Sequence, residues 1–579
     1  MRYLRMLTNS MIGGVTVALY LTILVLQLNP RYALLSVSGL AATLVLSYGF
    51  HAAAAFYILM VFRQLLATEV ISPGWISFRV LVWVCAGGAT AGALLTWVNL
   101  RGFAPVLDPE ALRRMTGGAL VLSVCAAIMV ALAFGHRWAG RQSSRFGAIV
   151  LAVALMASLA VPLMLRGPGT GPARRARWPI PATGIAGPPG DTRVVMVLLE
   201  GASLDFIAPA AADGRLPSFE RLLEHGASMH VATIRPTQPG SVWTAVATGK
   251  LPFKNGVRSA ASYRPLASGD ALEVLPDYCF SHALVRYGFL RERIHDSRDL
   301  TALPLWSLLG SQGVPVGVVN WSVTQPAREV PGYIVSDQFE RVQSSSVDLE
   351  SLGAVWPRDA VAVAAAAVSE AARDSRPFGP RPTDAVGQLI AKPCGADRAH
   401  AQIAARLDQQ YPSRFQAVRY QCLDAVGHYF LRYAMPGAFG DVSDDEIRRY
   451  GAVLAGQYAT ADEMIGRVMA TIRPGDLLLV ASGFGLEPMG VGKRLLERTV
   501  GNPDPSGTHE RAPDGFLFAF GSDIQPGRHP RASVVDVVPT ILYFFGLPVA
   551  RDMDGFARTD IFTQAFTIGR PITYIPTYE

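Results

Sequence analysis

Asp424 and His428 stand four residues apart in RYQCLDAVGHYFLRY (Arg419–Tyr433), just past an apolar run. That run, Ala417–Cys422, reads as a buried strand. A carboxylate and an imidazole spaced by four on the turn and helix after a strand can hold one cation together. An Asp that caps a helix beside a half-buried His would give the same pattern, so the pair alone leaves both readings open. A second imidazole shifts the balance: His509 lies in GTHERAPDG (Gly507–Gly515), a loop just before the apolar run Phe516–Phe520. Asp plus two His is a donor set suited to one zinc ion, or manganese in its place, with a position open for substrate or water.

Other polar residues fall at the ends of other apolar runs. Glu200 directly follows VVMVLL (Val194–Leu199), where a metal ligand can sit and where a solvated loop Glu would look the same. In RPTQPGSVWTAVATGKLPFKNGV (Arg235–Val257), a Pro/Gly-rich turn leads into an Ala/Val helix, with the hydroxyls of Thr237 and Ser241 at the turn. The free N–H groups and dipole of that helix N-terminus favour a phosphate or sulfate oxyanion. An ordinary N-cap is the alternative for either hydroxyl.

The elements that must position these residues alternate. Short β-branched runs at Val194–Leu199, Val316–Trp321, Ala417–Cys422, Asp476–Ser482 and Gly515–Gly521 read as strands covered on both faces. Helical patterns lie between them, including the amphipathic Leu216–Gly226, ended by Gly, the Ala-rich Ala360–Ala372 and the long Asp445–Ile472. The expected fold is therefore α/β: a mostly parallel sheet sandwiched by helices, with its site at the carboxyl ends of the strands. There are no internal repeats.

A chain of 579 residues with mean hydropathy +0.27 is too long for one compact domain and too apolar to be wholly soluble. The apolar excess lies in the first third. Residues 11–28, 76–98, 115–134 and 146–165 are runs of bilayer-spanning length. The stretch 33–65 would be about 50 Å long as one straight helix, so it is either one tilted helix or two short ones that break near Gly49. Five spans, a cytoplasmic N-terminus and a retained first span are expected. The organisation is then a transmembrane domain over 1–166, a Pro/Gly-rich linker over 167–192 and a globular domain over 193–579.

The charge of +7 is spread out, and Arg174, Arg175 and Arg177 suit a lipid headgroup better than a nucleic acid. Of five cysteines, Cys85 and Cys125 lie in apolar spans, and Cys279, Cys394 and Cys422 allow at most one disulfide.

Taken together, several segments resemble the alkaline phosphatase superfamily, in its type I phosphodiesterase/nucleotide pyrophosphatase branch. They are VLLEGASLDFI, LPSFERLLEHGA, WTAVATGKLPFKNGV, SRDLTALPLWSLLGSQGVPVGVVNWSVTQP with PGYIVSD, LDAVGHYFLRY, GTHERAPDGFLFAFG and VVDVVPTILYFFGLP with DMDG. The resemblance covers about Arg193–Asp554. It implies an alkaline-phosphatase-like fold, two zinc-like ions and a Ser or Thr nucleophile that forms a covalent phospho-enzyme. Asp424, His428 and His509 fall on the ligands of one metal site. Glu200 stands where Asp is usual, as in the related lipoteichoic acid synthases and phosphoethanolamine transferases.

The second site normally takes an adjacent Asp-His pair. Here that segment is ASGFG (Ala481–Gly485), without the pair. The nucleophile position, counted back from Thr248-Gly249, lands on Pro239, so Thr237 or Ser241 serves only in a shifted loop. The usual Lys-His-Gly is Lys254-Asn255-Gly256. Two readings follow: a membrane-anchored, one-metal phosphohydrolase, phosphodiesterase or phosphotransferase, or an inactive member of the same fold used as a binding or scaffolding module. Membrane attachment suggests a phosphate-ester or lipid-linked substrate. Related membrane-fused phosphotransferases export the domain, so it is expected outside the cytoplasm, on a plasma membrane of bacterial type.

Overall fold

The computed structural model describes residues 2–66, 78–138, 145–169, 190–266, 269–276, 283–340, 352–373, 384–499 and 505–579. Most of the expected linker, the Arg174 cluster and Cys279 lie outside them. The chain forms two compact units, Met1–Arg174 with Arg258–Ile294, and Arg175–Val257 with His295–Glu579.

The first unit is built on helices. Among the described residues, five are long and apolar enough to cross a membrane: Tyr3–Leu28, Leu34–Leu66, Leu81–Val106, Pro109–Gly135 and Phe146–Arg166. The stretch that sequence left open between one helix and two is one helical run of 33 residues, with a π-helical turn at Val45–Gly49. The reason is a close crossing: a Cβ on Gly14 would strike the carbonyl oxygen of Gly49, so two backbones meet there through glycines. At the end of the first helix, Arg166 donates from Nε to the Leu26 carbonyl (2.7 Å) and from Nη2 to that of Asn29 (2.7 Å).

Into this unit comes an excursion from the globular sequence. Strands Ala261–Pro265 and Leu290–Ile294 pair as an antiparallel hairpin, and Tyr263, Leu272, Leu284 and Leu290 pack among Leu21, Val25, Leu26 and Leu40. Asn29 Oδ1 accepts from the backbone N–H groups of Glu273 (2.7 Å) and Val274 (2.9 Å). Glu273 also pairs with Arg31 (3.1 Å) and Arg258 (3.2 Å).

Among the described residues, the second unit holds a ten-stranded sheet flanked by helices. Its central strands lie in the order Ala227–Ala232, Asp514–Phe520, Leu477–Phe484, Val194–Leu199, Phe415–Tyr420, Val316–Val319, Gly332–Val335. The last five run parallel. Asp514–Phe520 is antiparallel to both its neighbours. All six side chains of Val194–Leu199 are buried, as a strand covered on both faces requires. Val195, Val197 and Leu199 share one core with Phe219, Val426, Phe430, Ile465 and Phe518, which brings helices Pro217–His225, Cys422–Ala434 and Asp444–Met469 against the sheet. Strands covered on both faces alternating with helices give the expected class, a mostly parallel sheet, preceded in the sequence by an apolar helical region.

Candidate metal centre

The site lies where the Phe415–Tyr420 strand gives way to the Cys422–Ala434 helix. The strand ends two residues earlier than its apolar character suggested, because Asp397 takes over the next N–H groups. Its carboxylate accepts from Gln421 N (2.8 and 2.9 Å) and Cys422 N (2.7 Å), satisfying the first orphan donors of the helix. The Cys394–Cys422 disulfide ties the same helix start to the neighbouring Ala385–Gln410 helix. Asp424 then falls in the first turn and His428 one turn on, on the same face.

A second segment brings His509. Short strands Glu487–Pro488 and Gly507–Thr508 pair, and Ser506 N donates to the His428 carbonyl at 2.6 Å. A Cβ on Gly507 would strike the Gly427 carbonyl oxygen, so only glycine lets this loop lie against the helix. Asp424, His428 and His509 each offer a ligand atom, all within 4.8 Å of one another. Glu200 is not in this group of three, but it stands close enough for its charge to act on Asp424 and His428, and its Oε2 accepts from Arg419 Nη1 at 2.8 Å.

The hydrogen bonds suit a cation. His428 Nδ1 donates to the Gly507 carbonyl (2.8 Å) and His509 Nδ1 to the Thr237 carbonyl (3.0 Å), which fixes both tautomers with Nε2 as the free lone pair. His428 Nε2 lies 3.4 Å from Asp424 Oδ2, and buried Asp424 Oδ1 has no hydrogen-bond partner in the protein. Two imidazole lone pairs and a carboxylate converge with too few donors among them, which is what a divalent ion would complete.

Burial pushes the Asp424 carboxyl up, but the hydrogen bond and charge of His428, with His509 and Arg419, bring it below the usual range. Burial pushes His428 down, and the Asp424 hydrogen bond and charge outweigh it, so the net shift is upward. Burial dominates at His509, whose pKa is lowered. A proton on His428 competes with a metal ion for Nε2. Zinc affinity should therefore begin to fall on acidification above pH 6.5, the ordinary histidine value, because the competing pKa is raised. Chelator competition across pH 8 to pH 5.5 checks this, and an affinity that stays flat until well below pH 6.5 contradicts it.

Thr237 meets this cluster through its backbone, and neither its hydroxyl nor that of Ser241 is bonded into it. Thr237 lies just before the Pro239–Thr248 helix, held by its backbone: its N–H donates to the Glu510 carbonyl (3.3 Å) and its carbonyl accepts from His509. Ser241 is in the first turn. Both side chains are buried, and neither hydroxyl has a hydrogen-bond partner in the protein. Phe484, at the end of the Leu477–Phe484 strand, packs its ring at a tilt against His509, with centroids 5.1 Å apart, and the Ser482 hydroxyl donates to the Phe484 carbonyl (2.8 Å). Arg419 is the residue that sequence reasoning missed. The available signal was an arginine in the last positions of an otherwise apolar strand, where a charge needs a buried partner.

Among solved structures, the chain is similar to the alkaline phosphatase PafA (12% identity over 66% of this chain and 100% of that one, TM-score 0.43). It is also similar to murine ectonucleotide pyrophosphatase/phosphodiesterase 5 (12%, 64% and 100%, TM-score 0.37). A phosphonate monoester hydrolase from Silicibacter pomeroyi aligns at 16% identity over 63% of this chain and 76% of its own, TM-score 0.35. No curated protein matches the sequence. The assignment rests instead on the sequence match of residues 194–502, more than half of the chain, to the family described as type I phosphodiesterase/nucleotide pyrophosphatase. The segments that carry Glu200, Asp424 and His428 fall inside that range, and the chain belongs to this family.

Proposed function

We propose that the protein is a membrane-anchored phosphoesterase that works with one divalent ion, zinc or manganese, held by Asp424, His428 and His509. The observation that carries this reading is the convergence of three ligand atoms within 4.8 Å with both imidazole tautomers fixed for coordination. Bound there, the ion would supply positive charge to a phosphoryl group and acidify water. The chain's own part is to orient the ligands and to bind the phosphate. The N–H groups at the start of the Pro239–Thr248 helix, beside Thr237 and Ser241, are suited to phosphate oxygens. An alcohol nucleophile needs a base or metal to become an alkoxide near neutral pH. Neither hydroxyl is hydrogen-bonded to one. Water is therefore the proposed nucleophile.

Activity on an aryl phosphodiester should need added metal, and Thr237→Ala and Ser241→Ala should keep most of the rate. A loss of roughly a thousandfold from either, or a trapped phospho-Thr or phospho-Ser, would contradict the water mechanism. An inactive binding module is the second reading. It is favoured by Ala481–Gly485, which carries no carboxylate or imidazole, and metal binding without any hydrolysis would support it.

The substrate class proposed is a phosphate ester, with a lipid-linked ester favoured by the membrane anchor, and no nucleic acid. A location of the globular unit outside the cytoplasm is supported by the Cys394–Cys422 disulfide, a bond that persists in oxidising compartments. With a cytoplasmic N-terminus and five spans, protease added to intact spheroplasts should cut the chain after Gly167. Full protection until the membrane is lysed would mean the opposite topology.

A further inference from the structure

Three neighbouring parallel strands end side by side at the metal centre. Val194–Leu199 leads into Glu200, Phe415–Tyr420 carries Arg419, and Val316–Val319 leads into Asn320. The Arg419 side chain is 5% exposed and that of Glu200 1%. From Arg419, Nη1 donates to Glu200 Oε2 (2.8 Å), Nε to the Asn320 carbonyl (2.7 Å) and Nη2 to Asn320 Oδ1 (3.4 Å). Asn320 sits in the left-handed region at φ 59° and returns a bond from Nδ2 to the Arg419 carbonyl (3.0 Å). A non-glycine residue persists at such an angle where its surroundings over-determine it. Arg419 is therefore clamped at both its backbone and its guanidinium.

The charge balance explains the clamp. Burial raises the carboxyls of Glu200, Asp337 and Asp397, and Arg419 pulls each of them, with Asp424, the other way. A carboxylate at the end of the first strand, next to Asp424, needs a counter-charge, and in a metal site the ion is usually the largest one. Among the described residues, Asp424, His428 and His509 are the one group of three possible metal ligands. Ala481–Gly485 offers only the Ser482 hydroxyl, which is spent on the Phe484 carbonyl.

We infer that the guanidinium of Arg419 stands in the place of a second cation: it neutralises Glu200 and keeps the neighbouring cluster a one-ion site. Arg419 is a positioning residue that acts through Glu200, and the inference rests on the one-ion reading above. Removing the guanidinium leaves the Glu200 carboxylate, whose charge and that of Asp424 act on one another, without a counter-charge, and Asp424 Oδ1 has no partner in the protein; two such carboxylates can recruit metal. Removing the Glu200 charge instead leaves a bare cation near the ion.

The test is zinc stoichiometry and affinity on the full-length protein in detergent, by metal analysis and competition with a chromophoric chelator. Wild type and Arg419→Lys should hold one equivalent. Arg419→Met should take up a second, and Arg419→Met/Glu200→Gln should return to one. Glu200→Gln alone should weaken zinc roughly tenfold, as the loss of a partner behind metal ligands does. A purely structural ion pair would lower the melting temperature of the single variants and leave zinc number and affinity unmoved; that result overturns the inference. Should Arg419→Met fail to fold, Glu200→Gln decides, and unchanged zinc affinity overturns the inference. A wild type holding no zinc, or two equivalents, removes the one-ion reading too, whereas one equivalent with unmoved variants removes this inference alone.

Discussion

Asp424→Ala and His509→Ala should each abolish stoichiometric zinc binding and lower phosphodiesterase activity by about a thousandfold or more. Each change removes one of three donors, and the remaining two cannot hold a divalent ion against water. The two variants fail in different ways, which makes the pair informative. Loss of Asp424 takes away the charge that raises His428 and the oxygen nearest to its Nε2. Loss of His509 leaves that pair intact but frees the Thr237 carbonyl, to which His509 Nδ1 donates. Both should stay folded, since neither side chain is part of the central core. Metal analysis after gel filtration is the measurement, and a variant that keeps its zinc would show that the donors were misassigned.

Gly201→Ala should cost zinc affinity by a factor of roughly ten to a hundred, although Gly201 ligates nothing. Its φ is +70°, a left-handed conformation that costs a residue with a Cβ about 1–3 kcal/mol. The Cβ would also lie 2.7 Å from Asp424 Oδ1, 2.8 Å from its Cα and 3.0 Å from its Cβ. No flexible chain end can yield there, so the helix start that carries the carboxylate has to move. Gly214→Ala is the control. Gly214 has φ +69° with nothing within 4 Å of an added Cβ, so it should lower the melting temperature and leave zinc binding alone. Equal zinc affinity in both variants would contradict the close packing of Gly201 on Asp424.

Much of this site was legible in the sequence because its chemistry is local. Asp424 and His428 share a helix face by their spacing alone, and His509 stands beside a strand whose apolar run is unmistakable. The alternation of runs gave the parallel sheet for the same reason: strands covered on both faces leave no polar alternation to misread. What could not be read is long-range. The pairing of Glu200 with Arg419 was not legible, because Arg419 lies 219 residues away on the adjacent strand. The hairpin between Arg258 and Ile294 reads as ordinary globular sequence, and its packing on Leu21, Val25 and Leu40 depends on residues more than two hundred positions earlier. The cysteine spacing allowed several pairs, and only the meeting of two helix segments selects Cys394 with Cys422. The π-helical turn of the second span needed the facing Gly14, which no property of Val45–Gly49 announces.

The central claim is one metal ion per chain at Asp424, His428 and His509. The most direct test is metal content of the full-length protein in detergent, purified without chelator and titrated with zinc to saturation. One equivalent per chain, lost in Asp424→Ala and accompanied by phosphodiester hydrolysis, is the predicted result. Two equivalents in the wild type, or none, would contradict it.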